Sequence, residues 1–158
     1  MRSKLLIITS LAALLAVSCS QESAKTLYAS QESRIETSLN SQLSADESGT
    51  MHVVSNKGSE RLVIKEGEGE ALTGSGTVTF RYAGFVLTST TLATNNLFAT
   101  NITEIAKKAG WLADDDETTT YDPVVENMSE KNLITGLRNG LIGVKAGEEC
   151  TKIGRAHV

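Results

Sequence analysis

Apolar residues recur along this chain in three rhythms, and each rhythm predicts a different kind of element. The first is a mostly apolar run from Leu5 to Val17, within MRSKLLIITSLAALLAVSCS, too short to cross a bilayer as a mature helix. The second is a helical stripe. Leu27, Ile35, Leu39 and Leu43 fall largely at i, i+4 spacing and predict a helix over 27–49, with Ser30 as a candidate N-cap and Gly49 as its stop. One narrow stripe cannot fold alone, so this helix either packs on the domain C-terminal to it or pairs with a second copy. The third rhythm is alternation, which begins at Met51.

MHVVSNKGSERLVIKEGEGE reads as strand, turn at Asn56 to Gly58, and strand. In TGSGTVTFRYAGFVLTST, Val78, Phe80 and Tyr82 face one way and Thr79 and Arg81 the other, a period of two that predicts a further strand. Ile102, Ile105, Ala106 and Ala109 predict a short helix closed by Gly110, and Asp114 to Thr120 a solvated loop. In NLITGLRNGLIGVKAGEE, Ile134, Leu137 and Leu141 predict a two-turn helix with Gly143 past its end. Strands with a few short helices make an α+β domain, expected over 51–151.

The 158 residues, 40% hydrophobic and 4% aromatic, suffice for one modest domain. The opening run is not part of it. Arg2 and Lys4 form a basic n-region before the apolar stretch, as in a signal peptide over residues 1–18. The ending LAVSC resembles the lipobox of bacterial lipoproteins, with Ala16 where leucine is commoner. That resemblance implies that Cys19 becomes the first mature residue and carries lipid, which anchors the chain to the bacterial envelope, at the outer membrane facing the periplasm or the surface. Cleavage near Ser18 of an ordinary secreted protein is the alternative. A polar tether over 19–26 would then lead into the helix. Loss of residues 1–18 removes Arg2 and Lys4 and moves the formal charge from −4 to −6, which argues against a nucleic-acid partner. With Cys19 lipidated, Cys150 has no partner for a disulfide.

Familiar catalytic patterns are missing. GEGEALTGSG is followed by no lysine, and Glu68 and Glu70 would repel phosphate, so a hairpin is the better reading. DDDE at Asp114 to Glu117 lacks the alternating ligands and glycine of a calcium loop. His52 and His157 are the only histidines, too few for a zinc cluster and without a nucleophile to activate. No metal or cofactor is expected.

Two separated blocks carry more information than any single site. VIKEGEGEALTGSGTVTFRYAGFV and, later, LITGLRNGLIGVKAGEE resemble the FKBP-type peptidyl-prolyl isomerases, and more closely FKBP-like lipoproteins of Bacteroidetes. Val78, Phe80, Tyr82 and Gly84 match the family's Val-x-Val-x-Tyr-x-Gly strand. Leu133, Ile134, Gly136 and Leu137, then Gly140, Leu141, Gly143, Val144, Gly147 and Glu148, match its second block. The resemblance implies an antiparallel sheet wrapped on a short helix, and a pocket for the prolyl bonds of exported polypeptides built from Tyr82, Phe98, Leu133 and Ile134. Tyr82 would give a wall and a hydroxyl, Phe98 would grip the proline ring, and Ile134 would offer its backbone N–H. Leu137 would stand at the pocket floor, where the family has tryptophan. Ala99 replaces the family's pocket aspartate, and Trp111 lies in an insertion. These departures imply reduced or absent isomerase activity and keep open a non-catalytic FKBP-like chaperone or binding lipoprotein. A third reading is a structural lipoprotein that forms a homodimer through its N-terminal helix.

The family continues past the Gly-Glu turn with a strand, a tyrosine-bearing loop, an Ile-Pro element and a final strand. Here TKIGRAHV stands instead. ATCGGAAGAGCACACGTC, the read-through of a common sequencing adapter, encodes IGRAHV, and Lys152 as AAG supplies the AG before it. Native sequence is therefore expected to end near Thr151, with 153–158 adapter-derived and the domain lacking its closing strand. A chain of this length is expected to fold poorly.

Overall fold

A computed structural model describes residues 25–88, 92–130 and 132–154. The expected signal peptide and the lipidated Cys19 lie outside the described residues. Helix α1 covers 25–44. There follow β1 (His52–Asn56), β2 (Ser59–Lys65), β3 (Thr77–Phe80), β4 (Ala83–Phe85), a 3-10 turn (Thr94–Asn96), β5 (Leu97–Thr100) and α2 (Thr103–Lys108). β6 (Val124–Asn127), α3 (Thr135–Leu141) and β7 (Glu149–Gly154) complete the order. The fold is α+β, with every strand pairing antiparallel. Where one sheet was expected, the strands of the described residues form three small ones: β1-β2-β7, β3-β6 and β4-β5.

The three-stranded sheet lies between two helices. Its hairpin closes through Lys57 and Gly58, both at positive φ (48° and 78°), the pair of left-handed residues that a two-residue loop with the right twist needs. Val53 stands opposite Leu62, so both face one side. On that side Leu62, Ile153 and Leu39 of α1 form the buried core, with Ile35, Leu43, Met51, Val53 and Leu87 packed against it. Ile35, Leu39 and Leu43 of the stripe read from the sequence thus cover the sheet, whereas Leu27 is 51% exposed and lies outside that core. The opposite face carries Ser59, Arg61 and Val63, against which α3 packs. Gly140 permits the approach: a Cβ there would lie 2.7 Å from Ser59 Oγ.

Several boundaries differ from expectation. α1 already includes residues 25 and 26 of the expected tether, and Ser30 lies inside the helix rather than capping it. Its end is set by Asp46, not Gly49. The Asp46 carboxylate accepts hydrogen bonds from the backbone N–H groups of Ser48 (3.0 Å) and Met51 (2.7 Å), and so turns the chain into β1. Gly49 serves the turn itself at φ 66°. α2 and α3 fall where the spacing put them, and Gly110 (φ 72°) and Gly143 (φ 88°) follow their ends.

The expected strand through Tyr82 breaks in two. Val78 and Phe80 are half-buried in β3, whose partner is β6, whereas the residues after Tyr82 pair with β5. At the other end of the chain, strand pairing does not stop at Thr151. β7 stays in register with β2 to Gly154, and Ile153 is buried.

Candidate functional site

The β4–β5 pair builds the aromatic part of the candidate site. Gly84 pairs with Ala99, yet the next residue, Phe85, pairs with Leu97. Phe98 is therefore the extra residue of a β-bulge, a device that re-aims a side chain. Its ring turns onto the backbone of Gly84, where a Cβ would come within 2.7 Å of Phe98 Cζ. Tyr82 is two residues before Gly84, its ring 6.0 Å from that of Phe80 between centroids and tilted by 52°. Tyr82 is 38% exposed, Phe98 65% and nearby Val86 53%, so the strip is open to water.

Buried Asn101 holds this strip in shape. Its Oδ1 accepts the Tyr82 backbone N–H (2.6 Å), and its Nδ2 donates to the carbonyls of Phe80 (3.4 Å) and Asp122 (3.0 Å). The backbone N–H of Asn101 returns to the Tyr82 carbonyl (3.1 Å), which also accepts from Thr100 Oγ1 (2.9 Å). Arg81 adds Nη1 bonds to the carbonyls of Asn101 and Tyr121, both 3.0 Å. One asparagine thus ties the end of β3, the start of β4 and the loop before β6. It makes the break in the expected strand, because the Tyr82 N–H goes to a side chain instead of a ladder.

The other expected residues belong to α3. Ile134 is its N-cap residue, in extended conformation (φ −56°, ψ 142°), and its side chain is 76% exposed. Leu133 and Leu137 are half-buried. Tyr82, whose ring contact is with Phe80, and Phe98, which lies on Gly84, belong to the β4–β5 end of the site, and Leu133, Ile134 and Leu137 to α3 and its start; among the described residues no hydrogen bond joins the two sets directly. Arg138 provides an indirect tie. Its Nε and Nη2 donate to the Met128 carbonyl (3.1 and 2.7 Å), and Nη2 also reaches the Gly74 carbonyl (3.3 Å). Neither Asn101 nor Arg138 stood out in the sequence, because a polar residue's burial and its backbone partners leave no periodic signature.

Elsewhere the titratable groups serve structure. The Arg61–Glu148 ion pair (3.5 Å) is almost wholly buried, and Arg61 Nη1 also donates to the Gly140 and Ile142 carbonyls at the end of α3. Burial lowers the pKa of Lys152, which bonds to the Gly140 carbonyl, and raises that of the free Cys150 thiol. Asp116 in the acidic loop is held well below the usual carboxylate range by the Thr119 hydroxyl and by the backbone N–H groups of Thr119 and Thr118. Among the described residues there is no cluster of His, Cys, Asp and Glu suited to a metal ion, and no helix long and apolar enough to cross a membrane.

No protein family, no curated protein and no solved structure matches this chain.

Proposed function

We propose that this chain is a FKBP-like, lipid-anchored protein of the bacterial envelope that binds prolyl segments of exported polypeptides and acts on them as a peptidyl-prolyl isomerase. The observation that carries the reading is the bulged Phe98 over Gly84 beside Tyr82, an aromatic strip presented to solvent. Proline rings are apolar and rigid, and aromatic faces bind them without nucleophiles or metals. Rotation about the Xaa-Pro bond faces a barrier of ~18–20 kcal/mol. A surface that prefers the twisted amide to the planar one lowers that barrier by differential binding alone. Leu133 and the Ile134 backbone N–H, at the start of α3, would complete the site, and Cys19 would hold it at the membrane.

Openness favours a second reading. Phe98 and Ile134 are mostly exposed, and Ala99 offers no carboxylate, so water stays in contact with a bound amide. A non-catalytic chaperone or binding module needs no more than this. An isomerisation assay on a prolyl tetrapeptide separates the two readings. Acceleration that is lost in Phe98→Ala supports the isomerase; binding that is lost in Phe98→Ala without acceleration supports the module; the absence of both overturns the proposal.

A further inference from the structure

We infer that Arg138 is a positioning residue that sets the Leu133–Ile134 turn against the Tyr82–Phe98 strip. The inference rests on the prolyl-site reading above. Arg138 sits one helical turn after Ile134, whose carbonyl accepts the Arg138 backbone N–H (3.0 Å). Its guanidinium grips two carbonyls, Met128 through both Nε and Nη2 and Gly74 through Nη2. Among the described residues it has no carboxylate within ion-pair distance, so its charge is spent on backbone alone.

The gripped carbonyls flank the β3–β6 pair: Gly74 lies in the turn before β3 and Met128 directly follows β6. Met128 is fully buried, and its N–H donates to the Gly76 carbonyl (2.8 Å), which closes that unit at the end nearest α3. β6 then runs antiparallel to β3 until Val124 stands opposite Phe80. Phe80 contacts Tyr82 through its ring, and its carbonyl is bonded by Asn101. A continuous path of backbone ladder and side-chain bonds therefore leads from Ile134 through Arg138 to Tyr82. The far end of α3 is fixed differently: Asn56 Nδ2 donates to the Asn139 carbonyl (2.9 Å), and Arg61 to those of Gly140 and Ile142. Those bonds fix α3 to the three-stranded sheet. Arg138 alone, among the described hydrogen bonds of α3, relates its first turn to the β3–β6 pair, which leads through Phe80 to Tyr82.

Without Arg138 the helix keeps its seat on the sheet while its first turn loses its reference to Tyr82. Misplacement by about an ångström can cost ~100-fold in rate at a reacting centre, and a lost contact at a binding surface costs less in affinity. On an open site the expected loss is roughly tenfold in affinity for a prolyl peptide.

The test is an NMR titration of the full chain with an alanyl-prolyl tetrapeptide, for the native protein, Arg138→Met and Arg138→Lys, with a thermal melt of each. The native protein should show shifts at Tyr82, Phe98 and Ile134. Arg138→Met should stay folded, keep shifts at Tyr82 and Phe98, lose those at Ile134 and bind roughly tenfold more weakly. Lysine keeps the charge but offers a single donor nitrogen in place of the guanidinium fork, so Arg138→Lys should fall between, and it decides the matter if the methionine variant does not fold. Native binding that either folded variant retains in full, with Ile134 still shifting, overturns the inference and leaves the prolyl site standing. A native protein without shifts at these residues overturns both.

Discussion

The tip of the Phe98 ring occupies the space that a side chain at residue 84 would need: a Cβ on Gly84 would meet its Cζ at 2.7 Å. The glycine of the strand and the exposed aromatic of the bulge are thus one feature. Gly84→Ala should push the ring aside while leaving the fold intact, because the displaced atoms are the far end of an exposed side chain. The expected outcome is a nearly unchanged melting temperature with ~2- to 10-fold weaker prolyl-peptide binding. Ring-proton shifts of Phe98 and a peptide titration check both halves.

Asn101 makes a different prediction. Its replacement by alanine leaves the Tyr82 N–H and two carbonyls without their partner in a buried setting. Asn101→Ala should cost about 2–3 kcal/mol of stability by chemical denaturation. Asn101→Asp should be little better, since aspartate accepts from Tyr82 but cannot donate to Phe80 and Asp122.

The buried Arg61–Glu148 pair is better judged by removal of one partner than of both. Glu148→Ala leaves the Arg61 charge uncompensated and should cost about 3 kcal/mol. A double replacement, Arg61→Met with Glu148→Leu, should recover part of that loss. Denaturant midpoints of the single and double variants measure the difference.

Acid should act at the end of α1. The Ser48 hydroxyl first, and the Met51 N–H next, hold the Asp46 pKa below its ordinary 3.8. Its contribution to stability is present above that ordinary value and is lost as pH falls from there through the lower folded-state value. Asp46→Asn should make stability fall less steeply below about pH 4, where Asp116 still contributes, and leave the curve above it parallel to that of the native chain. Thermal melts from pH 2 to pH 6 read this directly.

How much of this was legible in the sequence depends on what fixed each element. The β1–β2 hairpin, α2 and α3 were readable because local signals set them: Lys57-Gly58 in the loop, apolar spacing, and glycines at positive φ past the helix ends. The break at Arg81–Tyr82 was not, because alternation runs straight through it and the interrupting group, Asn101, is far along the chain. The end of α1 misled for a related reason. Gly49 looks like a stop, but the Asp46 carboxylate acts first. Site residues were nameable only through resemblance to a family; their exposure, the Phe98 bulge and the role of Arg138 come from pairings that no window of sequence contains. The homodimer expectation also changes its test. Leu39 lies in the core beneath α1, so a charge placed there would disrupt the fold itself, and association has to be read from the concentration dependence of the unaltered chain.

The most direct measurement is of intermolecular nuclear Overhauser effects between the proline ring of a bound tetrapeptide and the side chains of the folded protein. A prolyl site at the aromatic strip predicts contacts from the proline protons to the rings of Phe98 and Tyr82 and to the methyl groups of Ile134. Contacts confined to other exposed apolar residues, such as Trp111 or Val125, or no contacts at saturating peptide, would contradict it.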